Sequence, residues 1–166
     1  MGVKDTGILT LEELRERGMY PSEERMKKGP VAVTECVEHI PCNPCETSCP
    51  FHAICVGENI SNLPKLHEEL CTGCGSCVAA CSGLAIFVVD KSYSDKVGKV
   101  SFPYEYIHTY EKGDTVRAAN RAGQYVCDGV ITRILLTKKA DHTPVVTLEV
   151  PLEYVDEVRS IFRERG

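Results

Sequence analysis

The sequence has no excess of basic residues, no long apolar run and no visible secretory signal. Its 24 acidic residues outnumber 19 lysines and arginines, for a net charge of −5. Nucleic acid is therefore not an expected partner, because binding it requires a basic face. The longest apolar run, Leu84 to Val89, falls far below the roughly 20 residues that span a bilayer, so no membrane insertion is expected. No basic segment followed by an apolar stretch opens the chain, which predicts no signal peptide.

Cysteine, by contrast, is abundant, with ten among 166 residues. A secreted disulfide scaffold could explain that number. However, seven of the ten lie in two short, regularly spaced runs, and Cys36 lies just upstream. Such spacing suits metal binding better than disulfide pairing. A composition of 43% hydrophobic and 26% charged residues is globular, so we expect a soluble protein of a reducing cytoplasm.

The two cysteine runs are copies of one motif, displaced by 32 residues. The displacement superposes Cys42 on Cys74, Cys45 on Cys77, Cys49 on Cys81, and Ala53-Ile54 on Ala85-Ile86. The second copy, Cys71-x2-Cys74-x2-Cys77-x3-Cys81, has the spacing of a 4Fe-4S motif. The first copy has His39 where the repeat places its opening cysteine. Two copies in one small domain predict two clusters, and two clusters predict electron transfer.

The spacing also predicts which cysteines share a cluster. In proteins with two such runs, the fourth cysteine of each run ligates the other cluster. Cluster I is therefore predicted to take Cys42, Cys45, Cys81 and one further ligand, and cluster II to take Cys49, Cys71, Cys74 and Cys77. Gly73 and Gly75, which alternate with the ligands, would let the loop approach the cluster and adopt positive φ angles.

Three alternatives remain for the further ligand of cluster I. Cys36 offers a thiolate, the usual ligand of a 4Fe-4S cluster, and the five residues before Cys42 give it ample reach. His39 occupies the position of Cys71 in the repeat. A cluster with three protein ligands would be 3Fe-4S. We predict Cys36, because its chemistry matches that of the other ligands.

Zinc is the less favoured metal, because zinc motifs usually come as separated pairs of cysteines. Two cysteines lie outside the ligand set. Cys55 and Cys127 fall in predicted strands, and both are expected to be buried apolar thiols.

Turn and capping residues predict a mixture of short helices and strands. Thr10 and Glu13 form a capping box for a helix that Gly18 ends, Ser22 begins a second helix, and Val31 to Thr34 reads as a strand. A short β segment follows each cysteine run, so the repeat predicts two small hairpins related by a pseudo-two-fold axis.

The C-terminal part has a different character. Runs such as Tyr125 to Leu136 and Val145 to Val150 are separated by turn signals at Gly113-Asp114, Ala122-Gly123 and Ala140-Asp141, which predicts a small meander or barrel. A final helix is predicted from Pro151, with Val155, Val158 and Phe162 facing inward and Arg163 and Arg165 near its end. The predicted class is α+β, with an N-terminal extension (1–30), a cluster domain (31–90), a linker (91–98) and a β-rich domain (99–166).

Residues 36 to 90 resemble a bacterial-type ferredoxin domain with two 4Fe-4S clusters. The resemblance rests on the fixed cysteine spacing, Cys49-Pro50 and the repeated Ala-Ile pairs. Ser82 departs from the proline that commonly follows the last cysteine. This resemblance implies a ferredoxin-like fold for the cluster domain.

A second resemblance involves two further segments. Ile40 to Glu46 and Lys112 to Val116 are similar to the small iron–sulfur subunits of FAD-dependent amino-acid or amine dehydrogenases of anaerobic bacteria and archaea, the proline dehydrogenase and sarcosine oxidase-like assemblies. It implies an electron-transfer subunit in a hetero-oligomer with flavoprotein dehydrogenase subunits. No GxGxxG fingerprint occurs, so the FAD is expected in the partner subunit.

Three other functions are less consistent with the sequence. A diffusible ferredoxin needs no more than the cluster domain, and the residues after position 90 therefore favour a subunit. A regulatory cluster protein would be supported by a basic DNA-binding element, which the sequence lacks. No Ser/His/Asp or Cys/His grouping predicts catalysis by the chain alone.

Overall fold

The computed structural model describes residues 2–136 and 143–164. The helices are short, and they are α1 (Val3–Thr6), α2 (Leu11–Glu16), α3 (Glu23–Met26), α4 (Pro44–Thr47) and α5 (Ser76–Ala80). The strands are β1 (Val31–Thr34), β2 (Ile54–Cys55), β3 (Lys65–Leu66), β4 (Ile86–Asp90), β5 (Val97–Pro103), β6 (Thr115–Ala119), β7 (Tyr125–Leu135), β8 (Val145–Pro151) and β9 (Ser160–Ile161).

Side-chain caps define the helices of the N-terminal extension. The Thr10 hydroxyl accepts a hydrogen bond from the Glu13 amide at 3.2 Å, and the Glu13 carboxylate accepts one from the Thr10 amide at 3.1 Å. Gly18, with a φ of 65°, follows the end of α2. The Ser22 hydroxyl caps α3 by accepting from the Arg25 amide. Both predicted helix starts are confirmed, whereas α1 is not expected from the sequence.

The 32-residue repeat extends to the pairing of strands. In the antiparallel pair of β2 and β3, Ile54 lies opposite Leu66. In the antiparallel pair of β1 and β4, Ile86 lies opposite Thr34. Adding 32 to the residue number converts Ile54 to Ile86 and Thr34 to Leu66. The pair Ile54–Leu66 and the pair Ile86–Thr34 therefore occupy equivalent positions in the repeat. The β1–β4 pair is not a hairpin, however, because both cysteine runs lie between its strands.

One antiparallel sheet of seven strands joins the cysteine segment to the C-terminal part. Its order is β1-β4-β5-β8-β7-β6-β9. The sheet crosses the predicted linker without a break, because β4 pairs with β5 and places Val89 opposite Val100. The predicted α+β class is confirmed. The sheet does not close into a barrel within the described residues, so the barrel alternative is wrong. The sheet is open, and only β6, β7 and β8 follow one another as a three-stranded meander.

Strands β1 and β4 contribute to two hydrophobic cores, because successive side chains of a strand point to opposite faces. Val33 and Val89 face the larger core, which also contains Phe102. Ala32 and Val88 face a smaller core that contains the cysteines of α4 and α5. The C-terminal strands therefore pack against the back of the strands that support the cysteine runs.

The predicted C-terminal helix is wrong. Strand β8 continues to Pro151, which lies opposite Val97, and only a 3-10 turn (Leu152–Tyr154) follows it. The chain then pairs with β6 as β9. Val155 and Val158 are fully buried, as predicted for the inward face, but strand pairing overrides the helical propensity. The predicted turn at Ala140-Asp141 and the charge at Arg165 lie outside the described residues.

None of the helices in the described ranges has the length and apolar character needed to cross a membrane.

Candidate iron–sulfur site

Eight cysteines lie in two groups of neighbouring thiols. The first group contains Cys36, Cys42, Cys45 and Cys81, and the second contains Cys49, Cys71, Cys74 and Cys77. Burial, together with the charges of the neighbouring Cys81, Cys42 and Cys36 thiolates, raises the pKa of Cys45 to about 11. In the second group, burial and the charges of three neighbours raise the pKa of Cys77 to about 12. The last cysteine of each run thus lies among the thiols of the other run.

Equivalent helices position one thiol of each group. Cys45 lies in α4 and Cys77 in α5, and both side chains are buried in the smaller core. Cys74 precedes α5 and is exposed. Burial alone would raise the pKa of Cys74, but hydrogen bonds with Ser76, whose hydroxyl lies 3.5 Å from the sulfur, lower it. The second group therefore has a buried side and a side open to solvent.

Backbone amides point at the sulfur atoms in a pattern that repeats. The Ala53 amide donates to Cys49 Sγ at 3.3 Å, and the Ala85 amide donates to Cys81 Sγ at 3.4 Å. Cys71 Sγ accepts from the Ala32 amide, also at 3.4 Å. Amide groups that face sulfur stabilise negative charge on a thiolate or a cluster, and such hydrogen bonds contribute to cluster potentials.

Two glycines shape the loop of the second run. Gly73 has a φ of 69°, and a Cβ placed on it would lie 2.6 Å from the Pro30 carbonyl oxygen. Gly75 has a φ of 82° and forms the N-terminal cap of α5. Both positive φ angles follow the prediction. Because Gly73 has no side chain, the loop can approach Pro30 closely.

A cavity lies at the second group of thiols. The cavity is small, about 10 Å³ in volume, and it is lined by the second-run loop, Cys49, Ala32, Phe51, Ala53 and Ile54. Four thiols line this one space, which is the number of thiolates that a 4Fe-4S cluster takes, one at each iron.

The spacing of the thiols also bears on the kind of metal. A tetrahedral zinc site keeps its sulfur atoms within about 4 Å of one another. Across residues 2–136 and 143–164, no three cysteine, histidine or carboxylate side chains come close enough together to hold a single metal ion.

Cys36 and His39 occupy different surroundings. Burial raises the pKa of Cys36, and the nearby charges of Cys81 and Cys42 raise it further. The His39 side chain is exposed, and its Nδ1 lies 3.1 Å from the Ser61 carbonyl oxygen. The structure therefore places Cys36 close to Cys42 and Cys81, while the ring of His39 contacts the backbone at Ser61.

The remaining cysteines differ from each other. Cys127 is buried in the larger core, as predicted. Cys55 is exposed, so the prediction of a buried thiol is wrong there. Its counterpart in the repeat, Phe87, faces the larger core beneath the C-terminal strands. The two-stranded sheet that carries Cys55 is not part of the seven-stranded sheet, so Cys55 points to solvent.

Two sets of residues beside the thiols were not expected from the sequence. Arg25 donates hydrogen bonds to four backbone carbonyls, including that of Cys71. Glu35, next to Cys36, forms ion pairs with Arg121 and Arg159. Arg25 lies 46 residues from Cys71, and Glu35 lies 86 and 124 residues from Arg121 and Arg159, so no local motif identifies these contacts.

Comparison with known proteins identifies the second cysteine run. Residues 64–87 match the family model described as a 4Fe-4S binding domain. This part of the chain is a ferredoxin-type 4Fe-4S domain. The predicted 4Fe-4S binding is thereby confirmed for this segment.

Two curated proteins are similar to part of the chain. One component of the Na⁺-translocating ferredoxin:NAD⁺ oxidoreductase complex of Acetobacterium woodii is 37% identical over 73 residues, which cover 44% of this chain and 19% of that protein. An uncharacterized ferredoxin of Methanocaldococcus jannaschii is 35% identical over 78 residues, which cover 42% of this chain and 45% of that protein. The chain thus spans less than half the length of either relative. No solved structure matches it.

Proposed function

We propose that the chain is an electron-transfer subunit with two 4Fe-4S clusters, which relays electrons between a partner flavoprotein and an acceptor in an oxidoreductase complex. One observation carries the proposal. The eight cysteines form two groups of four, and the last cysteine of each run lies with the other group. Two interleaved sets of four thiols are what two adjacent clusters require.

The proposed ligand sets follow the two groups. Cluster I is held by Cys36, Cys42, Cys45 and Cys81, and cluster II by Cys49, Cys71, Cys74 and Cys77. A bound 4Fe-4S cluster supplies a one-electron redox centre. The protein's part is to fix eight thiolates, to bury Cys45 and Cys77, and to direct the amides of Ala53 and Ala85 at sulfur.

The charge of the cluster segment favours a partner with a basic docking face. Between residues 31 and 90, seven acidic residues are accompanied by a single basic residue, Lys65. Opposite charges steer association and make its rate depend on salt. Exposed apolar side chains lie near both runs, namely Ile40 and Ile60 beside Cys42, and Phe51 beside Cys49. An acidic surface with apolar residues near the clusters suits transient or stable docking of a redox partner.

A complex with other subunits is supported by the relative from Acetobacterium woodii, which is itself part of an oxidoreductase complex. The similarity of Ile40–Glu46 and Lys112–Val116 to the small subunits of FAD-dependent amino-acid or amine dehydrogenases is the reason for placing FAD in the partner. The C-terminal strands and the N-terminal extension, which both lie outside the cluster segment, are the proposed subunit contacts.

A diffusible ferredoxin is the second candidate, and the similarity to the Methanocaldococcus jannaschii ferredoxin supports it. Anaerobic purification of the tagged chain from its native host distinguishes the two. Co-purification of a flavoprotein in constant stoichiometry, retained at moderate salt, supports the subunit. Recovery of the chain alone at low and moderate salt supports a free carrier and overturns the subunit.

A further inference from the structure

The carboxylate of Glu35 is buried between two arginines. Arg121 Nε donates to Glu35 Oε2 at 2.9 Å, and Arg121 Nη2 donates to Oε1 at 2.6 Å. Arg159 Nε also donates to Oε1, at 2.8 Å. The side chains of Glu35 and Arg159 are only 6% and 3% exposed. A buried ion pair is costly unless its geometry is good, and here the carboxylate receives three donors.

Both arginines come from segments that adjoin the C-terminal strands. Arg121 lies in the turn between β6 and β7, and its Nη1 donates to the Asp156 carbonyl oxygen at 2.9 Å. Arg159 precedes β9, and its amide donates to the Ala119 carbonyl oxygen. Both guanidinium groups thus bond to backbone carbonyls of the segment between β8 and β9, and this segment holds Glu35 through them.

Glu35 links this support to the first group of thiols by two routes. Cys36 is its neighbour in sequence. In addition, the Glu35 amide donates to the Ala85 carbonyl oxygen at 2.8 Å, and the Ala85 amide donates to Cys81 Sγ. Two of the four thiols of this group therefore depend on the placement of Glu35.

Cys36 needs such support more than the other proposed ligands do. Two or three residues separate each of the other ligands from the next cysteine of its run, whereas five residues separate Cys36 from Cys42. A loop of that length leaves a ligand free to move away from the cluster. A fixed residue next to Cys36 removes that freedom.

We propose that Glu35, Arg121 and Arg159 are positioning residues for cluster I, which hold Cys36 at the fourth iron and place net positive charge beside the cluster. This inference rests on the proposed two-cluster function. It gives the C-terminal strands a role in completing cluster I, in addition to any contact with a partner. The two arginines outnumber the one carboxylate, so the network favours the reduced, more negative state of cluster I.

The test compares Arg121→Ala with Arg117→Ala in the full chain, reconstituted and studied without oxygen. Arg117 lies on β6, and its side chain is half exposed and paired with Glu164, so it is a matched control. Arg121→Ala is expected to lower the iron content from about eight to about seven per chain, with a 3Fe-4S EPR signal. The remaining intact cluster I should have a more negative potential, and cluster II should be unchanged. Arg117→Ala should match the parent protein in iron, EPR and both potentials.

A second variant distinguishes an effect on the position and charge around cluster I from a general loss of fold stability. Glu35→Gln keeps an acceptor oxygen but removes a negative charge, so the potential of cluster I should become more positive, opposite to Arg121→Ala. If Arg121→Ala fails to fold, Arg121→Gln with Glu35→Gln provides the same comparison, because glutamine also removes the positive charge. Full iron content and unchanged potentials in the folded variants, with only a lower melting temperature, would overturn the inference. A parent protein that binds fewer than two clusters would instead overturn the proposed function.

Discussion

The guanidinium group of Arg25 donates a hydrogen bond of 2.6 Å to the carbonyl oxygen of Cys71. The same side chain donates to the carbonyl oxygens of Gly29, Pro30 and Glu68. Arg25 belongs to α3 of the N-terminal extension, so the extension is attached directly to the first residue of the second cysteine run. The extension therefore supports the loop of the proposed cluster II, in addition to any contact with a partner subunit.

Replacing Arg25 should weaken this attachment. Hydrogen bonds that involve a charged group contribute about 1.5–3 kcal/mol each, but not additively, so Arg25→Ala should lower the free energy of unfolding by about 2–4 kcal/mol. The potential of cluster II should also shift, because a cation next to Cys71 is removed. Arg15→Ala is the control, because its ion pair with Glu23 is 52% exposed and worth at most about 1 kcal/mol. Equal effects of the two variants would show that Arg25 has no special role.

The assignment of Cys36 to cluster I leads to a direct substitution test. Cys36→Ser should give about seven irons per chain and a 3Fe-4S signal, because an alkoxide or hydroxyl group is a poorer ligand than a thiolate. His39→Ala should leave iron content and EPR unchanged, since the imidazole contacts Ser61. The exposed Cys55 offers a thiol control, and Cys55→Ser should retain about eight irons. Loss of iron in His39→Ala, with full iron in Cys36→Ser, would reverse the assignment.

Removal of iron should affect the two cores differently. Two proposed ligands, Cys45 and Cys77, lie in the smaller core, whereas the larger core is built chiefly from apolar side chains of β1, β4 and the C-terminal strands. Chelation under anaerobic conditions should therefore raise hydrogen exchange in α4, α5, β2 and β3 by at least tenfold. Amides of β5, β7 and β8 should stay protected. If every strand lost protection together, the two cores would not respond differently to iron removal, and the prediction would be wrong.

Acid should release the N-terminal extension. The Glu68 carboxylate accepts hydrogen bonds from the Ser22 hydroxyl at 2.7 Å and the Ser22 amide at 2.9 Å, and these bonds lower the pKa of Glu68 below 4.5. A lowered pKa means that the carboxylate stabilises the folded state above pH 4.5 and that this contribution is lost as the pH falls through the folded pKa.

Hydrogen exchange of the α3 amides measures this release. Exchange should rise as the pH falls below 4.5, after correction for the intrinsic pH dependence of exchange. Glu68→Gln should show raised exchange already at pH 7, with little further dependence on pH. An acid response of the same size in the variant and the parent protein would assign it to another group.

The sequence predicts the cluster segment well because its constraints are local. The ligand spacing, the glycines at 73 and 75, the capping box at Thr10 and the strand from Val31 to Thr34 each depend on residues a few positions apart. The 32-residue repeat adds a long-range prediction, since equivalent segments should fold alike. The matching registers of Ile54 with Leu66 and Ile86 with Thr34 follow from it.

The predictions that failed depend on tertiary contacts. Pro151 and the acidic residues after it are favourable at a helix start, but the pairing of β9 with β6 draws the chain into an extended path. Cys55 lies in a strand, as predicted, but burial depends on whether a second layer covers that strand. The network of Glu35, Arg121 and Arg159 joins residues as far as 124 positions apart, which a single sequence does not reveal.

The most direct test of the two-cluster account is the iron and sulfide content of the anaerobically reconstituted chain, combined with EPR of the dithionite-reduced protein. Two bound clusters should give about eight irons and eight sulfides per chain and a complex EPR signal from two reduced clusters that interact magnetically. About four irons with the simple signal of one isolated cluster, in protein whose eight cysteines are intact, would contradict it.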